Sequence, residues 1–115
     1  MILQEMRRLR EVQNVPDEHC IYKVRLIDYS GEYIKIGYTR NLAKRKYEFE
    51  KLGFKVRVIQ TLKGPEEQLK TYEAFIHARL IGQRKHHPEQ FSGYSEMYQN
   101  KGIPGLKSLI KMLQS

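Results

Sequence analysis

CIYKVRLIDYSGEYIKIGYTRNLAKR, residues 20–45, is the stretch that decides the fold of this chain. Residues 20–28 alternate in side-chain character as a β-strand does, and residues 29–32 form a polar turn cluster. Residues 33–38 predict the returning strand, and Gly37 is expected where the backbone needs freedom or a close approach. The stretch therefore predicts an antiparallel hairpin.

A helix is predicted to follow the hairpin at about residues 41–52. Thr39 or Asn41 is expected to cap its start, and Gly53 is a natural helix stop. Arg45 falls on the apolar stripe of this helix. An arginine in that position either lays its stem over the core and reaches water, or points at something buried.

The whole chain, residues 1–115, is predicted to be a single α/β domain with its core at about residues 20–98. Its sheet is expected to be small, mostly antiparallel and three-stranded, with helices flanking it. The loop at residues 82–102 is predicted to contain a short helical turn at residues 95–98, and to hold His86-His87-Pro88 at the surface. The other predicted elements are a strand at 55–62 and helices at 2–13, 65–81 and 103–113.

Glu73 is a polar residue on the apolar stripe of the helix at 65–81. A carboxylate that faces a core is unfavourable unless it is paired, protonated or bound to a metal. Alternatively, Glu73 lies at the rim and pairs with Lys70 or His77, one turn away.

The charge of the chain favours a polyanionic partner. The net charge is +8, and residues 20–64 carry 11 lysines and arginines against 4 acidic residues. Neutralising phosphates with such a block releases counterions, which drives binding to nucleic acid. A basic surface that only keeps the domain soluble is the alternative.

Cysteine usage and hydropathy bear on the compartment. Cys20 is the only cysteine, which excludes an intrachain disulfide and fits a reducing compartment. The start of the sequence lacks a signal-peptide pattern, and no apolar run approaches the length of a membrane span. We therefore expect a cytoplasmic protein, located in the host cytoplasm if a phage encodes it.

The order of these features resembles the GIY-YIG nuclease superfamily, in particular a short branch found in phages and bacteria. Ile21-Tyr22 matches the first signature, and Lys35-Ile36-Gly37 matches the second signature in its Lys-Ile-Gly form. An arginine follows that glycine by eight residues, and a glutamate lies on the next long helix. The resemblance covers about residues 20–98 and implies a metal-dependent DNA endonuclease.

The resemblance assigns a role to each matching residue. It implies that Tyr22 helps to activate the attacking water, that Arg45 holds the scissile phosphate, and that Glu73 binds one divalent metal, Mg²⁺ or Mn²⁺. Glu73-Ala-Phe-Ile-His77 also resembles the Glu-x-x-x-His pattern of this branch, which places His77 in support. Residues 95–98 resemble its closing segment.

Two signature positions differ from the family pattern. Cys20 stands in place of the first glycine, and Lys35 stands in place of the second tyrosine. Tyr33 or Tyr38 is a candidate to replace that tyrosine, and Lys35 is a candidate to contact phosphate directly. A catalytically degenerate nucleic-acid-binding module on the same fold is therefore the alternative to an enzyme.

The expected partner is DNA, which includes branched or single-stranded forms. Sequence specificity would come from the loop at 82–102, from a homodimer or from a partner protein. A structural interaction domain that uses the terminal helices would instead show no salt-dependent affinity for DNA. The residues predicted to contact nucleic acid are Lys23, Arg25, Gly37, Tyr38, Arg40, Lys44 and Lys46.

Overall fold

The computed structural model describes residues 17–89 and 97–114. The helix predicted at residues 2–13 lies outside these residues. Within them no helix has the length and apolar character needed to cross a bilayer. The elements in chain order are β1 (Cys20–Asp28), β2 (Gly31–Thr39), α1 (Leu42–Lys51), β3 (Lys55–Lys63), α2 (Glu66–Arg79), a 3-10 helix (Ile81–Gln83), β4 (Met97–Tyr98) and α3 (Leu106–Gln114).

The strands form one antiparallel sheet in the order β3-β1-β2-β4. The α/β class is confirmed, but the predicted count of three strands is one too low. The missing strand is β4, which was predicted as part of a helical turn. Met97 pairs with Lys35 and Tyr98 with Ile34. Two residues are too few to show a period, and burial against β2 decides their conformation.

The β1–β2 hairpin has a tighter turn than the sequence predicts. Asp28 pairs with Gly31, so that only Tyr29 and Ser30 lie between the strands. The Asp28 carboxylate accepts hydrogen bonds from the backbone N–H of Ser30 at 2.8 Å and from its hydroxyl at 2.7 Å. Gly31 has φ +132°, a conformation that glycine adopts without a steric penalty.

The ends of α1 follow from its capping residues. The Asn41 side chain accepts a hydrogen bond from the Lys44 backbone N–H at 3.0 Å, which confirms Asn41 as the cap. Thr39 instead accepts a hydrogen bond from the Asn41 backbone N–H. Gly53, with φ +99°, ends the turn after the helix as predicted.

The sheet has a buried cluster on each face. On one face, here called the α1 face, Phe49 of α1 packs with Tyr22, Val24 and Leu26 of β1. On the other, here called the α2/α3 face, helices α2 and α3 cover Ile21, Ile34 and Ile36. The alternation along β1 therefore assigns each of its side chains to one face. Paired residues of β1 and β2 share a face, so the register also places the side chains of β2.

Candidate active site

The two signatures meet where Tyr22 of β1 lies opposite Gly37 of β2. A Cβ atom added to Gly37 would stand 2.5 Å from the Tyr22 hydroxyl oxygen and 2.8 Å from the ring carbon that carries it. No side chain fits in that space, so a glycine is needed for the tyrosine to lie across the neighbouring strand. The prediction of a close approach at Gly37 is thereby explained.

Helix α1 covers the Tyr22 ring. Phe49 meets it edge-on, with ring centroids 6.3 Å apart and an interplanar angle of 66°. Tyr22 is 2% exposed, so the ring contributes to the core while its hydroxyl lies over Gly37. Lys35, two residues before Gly37 and about 7 Å from it along the strand, shares this face and is 7% exposed.

Arg45 borders an open cavity of about 770 Å³ that runs along α1 from Asn41 to Lys51. Three other residues predicted to contact DNA, Tyr38, Arg40 and Lys44, line the same cavity. The Arg45 Nε atom is buried and has no hydrogen-bond partner within the described part of the chain. A buried donor without a partner is unfavourable, and an oxyanion that accepts a hydrogen bond from Nε would satisfy it.

Tyr38 contacts His19, which lies just before β1, and Lys70 of α2. Its hydroxyl lies 2.5 Å from His19 Nδ1, and the two rings stack with centroids 5.9 Å apart. Lys70 of α2 stands over the Tyr38 ring at 5.4 Å. Partial desolvation and the nearby Glu66 carboxylate raise the pKa of Tyr38, so its hydroxyl remains protonated at neutral pH.

Two carboxylates of α2 flank Lys70. Its ammonium forms an ion pair with Glu66 at 3.0 Å, and the hydrogen bond and charge of Glu66 raise the pKa of Lys70. The charge of Glu73 adds to that rise, which indicates that Glu73 lies near the same ammonium. Glu73 itself is half-buried. Glu66, Lys70 and Glu73 therefore lie along the same side of α2, and Glu66 also lines the cavity.

Glu73 is the residue expected to hold a metal. Among residues 17–89 and 97–114 no cluster of three or more metal-ligating side chains occurs. A single half-buried carboxylate nevertheless fits Mg²⁺, which keeps several water ligands and takes others from substrate phosphates. His77, one turn further along α2, is hydrogen-bonded through Nδ1 to the Tyr98 hydroxyl and stacks on its ring. His77 therefore joins α2 to β4.

Tyr33, one candidate to replace the missing signature tyrosine, shares the α1 face with Lys35 and is bound at the hairpin turn. Its hydroxyl is hydrogen-bonded to Ser30 Oγ at 2.6 Å, and Lys85 stands over its ring at 4.6 Å. It lies four residues from Gly37, about 13 Å along the strand. The candidate that lines the cavity is Tyr38.

Lys23 does not face nucleic acid, which corrects an expectation from the sequence. Its ammonium donates hydrogen bonds to the carbonyl oxygens of Ile103 and Pro104, both at 3.2 Å. The side chain is 8% exposed, and burial lowers the pKa of Lys23. Lys23 anchors the segment that leads into α3, and its ammonium already has two hydrogen-bond partners within the protein.

The predicted DNA track is divided by the sheet. Arg40 and Lys44 lie at the cavity, whereas Arg25 lies on the α2/α3 face. Lys46 is exposed and borders a different hollow, together with Lys55. The basic residues therefore do not form one continuous surface.

Several residues at the cavity were not predicted from the sequence. His19, Tyr47, Lys51 and Glu66 lie in or beside the cavity region, and long-range packing rather than a local motif places them there. His87, predicted in a surface loop, is 6% exposed and lies with Nε2 2.6 Å from Asp28 Oδ2. The prediction is wrong for His87, because a buried acceptor at the hairpin turn binds the imidazole, whereas His86 and Pro88 are exposed as expected.

Fold and site together define a small α/β domain with a polar cavity that is lined by four cations (Arg40, Lys44, Arg45 and Lys51), three acids (Asp17, Glu48 and Glu66) and the aromatic residues Tyr38 and Tyr47. Cations beside aromatic side chains are a feature of nucleic-acid interfaces. The sequence profile of the T5orf172 domain matches residues 19–103, and the chain belongs to this family. The family places it among nuclease-related, DNA-binding modules. No curated protein and no solved structure matches the chain.

Proposed function

We propose that this chain is a metal-dependent DNA endonuclease of the GIY-YIG type that hydrolyses phosphodiester bonds. The observation that carries the proposal is the contact of Tyr22 with Gly37, because it joins the two signature segments at one point of the sheet. The helix that covers Tyr22 also carries Arg45, which borders the cavity.

Arg45 binds the scissile phosphate in this proposal. Its guanidinium presents a planar fork of donors that matches two phosphate oxygens, which a lysine ammonium does not offer. Support comes from the buried Nε atom, for which the described residues provide no acceptor. The same group neutralises charge that develops on the phosphoryl oxygens during attack.

Tyr22 orients and activates the attacking water. A phenol is a weak base unless nearby cations lower its pKa from about 10. The cationic side chains assigned to this effect are Lys35, which shares the α1 face, and Arg45. Tyr38, which lines the cavity, is the aromatic residue assigned to contact the bound backbone.

Glu73 is the residue that would hold Mg²⁺ or Mn²⁺. When bound, the ion supplies a Lewis acid that stabilises the leaving oxygen. His77 positions Glu73 indirectly, because its contact with Tyr98 fixes α2 against β4. The cations Arg40, Lys44 and Lys51 at the cavity attract the DNA backbone through counterion release.

A DNA-binding module without catalysis is the second candidate. The near-complete burial of Tyr22, at 2% exposed, favours it, because a strand tyrosine in the core has a structural use without chemistry. Lys35, which stands where the family pattern has a tyrosine, also favours the binding module. Both candidates predict DNA affinity that falls as salt rises.

Cleavage and binding must therefore be measured together. Nicking of supercoiled plasmid is followed with Mg²⁺, with Mn²⁺ and with EDTA, and DNA affinity is measured at two salt concentrations. The endonuclease proposal expects metal-dependent nicking. Salt-dependent binding without cleavage of supercoiled, linear, branched or single-stranded DNA would support the binding module instead.

A further inference from the structure

Two arginines face each other on the α2/α3 face of the sheet. Arg25 of β1 and Arg57 of β3 are paired residues of the antiparallel ladder, so their side chains leave the sheet on the same side. Like charges placed directly opposite each other in this way destabilise a sheet. An anion between or above the two guanidinium groups would offset this repulsion.

No acceptor within the described residues satisfies this pair. The Nε atom of Arg25 is buried and has no hydrogen-bond partner among residues 17–89 and 97–114. Arg57 is exposed, and no hydrogen bond or ion pair of its side chain occurs in the same residues. This differs from Lys23, the neighbouring cation on β1, whose ammonium is bound to two backbone carbonyls.

The charges around the pair are mostly positive. Lys55, the partner of Ile27 in the next row of the same face, adds a third cation. Glu32 is the acid on this face beside that row, and its carboxylate accepts a hydrogen bond from Asn100 at 2.8 Å. Glu50 of α1 borders the hollow at the β3 edge that Arg57 also borders.

We propose that Arg25 and Arg57 form an oxyanion site that binds a phosphate group on the face of the sheet opposite to α1. Two adjacent guanidinium forks match the oxygens of one phosphate, and the buried Nε atom of Arg25 receives the acceptor that the protein does not supply. The phosphate belongs either to a nucleic-acid backbone or to a small phosphorylated molecule. The site does not depend on the proposed nuclease activity.

Arg57→Gln is the main variant, because Arg57 is exposed and its replacement leaves the core intact. Binding of inorganic phosphate, and separately of a short DNA duplex, is measured by titration on the full chain. Arg79→Gln, which removes an exposed arginine at the end of α2, is the charge-matched control. Arg45→Gln removes the other proposed phosphate ligand and separates the two sites.

The proposal expects Arg57→Gln to weaken phosphate binding about tenfold, as the loss of one charge-assisted hydrogen bond implies. Arg79→Gln should bind phosphate like the wild type, and Arg45→Gln should keep the part of the binding that depends on Arg57. The thermal midpoint of Arg57→Gln without ligand should equal or exceed that of the wild type, because like-charge repulsion is removed.

The two sources of phosphate give different results. Competition between the duplex and inorganic phosphate for the Arg57-dependent site identifies a nucleic-acid backbone, whereas phosphate binding that the duplex does not displace identifies a small ligand. Equal phosphate affinity for Arg57→Gln and Arg79→Gln would overturn the proposal, as would an absence of phosphate binding by the wild type. These binding results can be interpreted whether or not the protein cleaves DNA.

Discussion

Tyr22 and Gly37 lie opposite each other in the β1–β2 ladder, and the tyrosine hydroxyl fills the space that a side chain at position 37 would need. This contact gives a physical reason for the pairing of a tyrosine on one strand with a glycine on the next. It also makes the position of the Tyr22 hydroxyl sensitive to a single methyl group.

Gly37→Ala should displace the Tyr22 ring. The added Cβ would stand 2.5 Å from the hydroxyl oxygen, so we expect a loss of about 1–3 kcal/mol in the free energy of unfolding. DNA cleavage should fall more than DNA binding. Gly82→Ala is the matched control, since a Cβ there meets nothing within 4 Å. Equal stabilities of the two variants in urea unfolding would contradict the steric account.

Tyr22→Phe should separate chemistry from packing. The ring and its contact with Phe49 are kept, so stability should change by about 1 kcal/mol or less. Loss of an activating hydroxyl should lower the single-turnover rate by about 100-fold or more. Tyr33→Phe removes a hydroxyl at the hairpin turn and should cleave like the wild type. Full activity of Tyr22→Phe would assign Tyr22 to the core alone.

Arg45→Lys keeps the charge but removes the planar fork. We expect the cleavage rate to fall by about tenfold or more while DNA affinity changes little, because long-range attraction remains. Arg79→Lys serves as the control at an exposed position of α2. The test is a comparison of single-turnover rate with affinity at fixed salt. A loss of affinity with an unchanged single-turnover rate at saturating protein would contradict this role, because it would show that Arg45 binds ground state and transition state equally.

Asp28→Asn should alter the acid stability of the fold. Burial alone would raise the pKa of Asp28, but hydrogen bonds from Ser30 and His87 outweigh it, and the pKa lies below its ordinary value of 3.8. A lowered carboxylate pKa stabilises the fold above pH 3.8, and that stabilisation is lost as the pH falls through the folded-state value. The variant should therefore lose about 1.5–3 kcal/mol near neutral pH.

The check is the free energy of unfolding of wild type and Asp28→Asn from neutral pH downward. The difference between them should remain constant above pH 3.8 and shrink below it. Asp17→Asn is the control, because its exposed carboxylate lies 3.8 Å from Arg40 and contributes little. A difference that grows on acidification would contradict the assigned sign.

The elements with clear periods could be predicted from the sequence. The hairpin, α1 and β3 lie within about two residues of their predicted bounds, because alternation, the Asn41 cap and Gly53 are local signals. The predicted helix at 65–81 runs from Glu66 to Arg79. Contacts between distant residues leave no such signal. β4 depends on burial against β2, and His87 is buried because Asp28, 59 residues away, binds it.

The candidate site was predictable to the extent that its residues belong to signatures. Tyr22 and Gly37 could be assigned to neighbouring strands and Arg45 to the α1 stripe, but the pairing of Tyr22 with Gly37 depends on a turn that is tighter than the sequence predicts. The sequence does not distinguish Tyr38 from Tyr33 as the replacement tyrosine, because both lie on the strand predicted at residues 33–38. Only the fold shows that Tyr33 is bound to Ser30, whereas Tyr38 lines the cavity.

Plasmid nicking by Glu73→Gln tests the central claim most directly. Glutamine keeps the size of the side chain but loses the charge that a divalent metal requires, and Glu67→Gln is the control on the exposed side of α2. We predict that Glu73→Gln binds DNA as the wild type does and does not nick it with Mg²⁺ or Mn²⁺, while Glu67→Gln remains active. Wild-type nicking by Glu73→Gln would contradict the account.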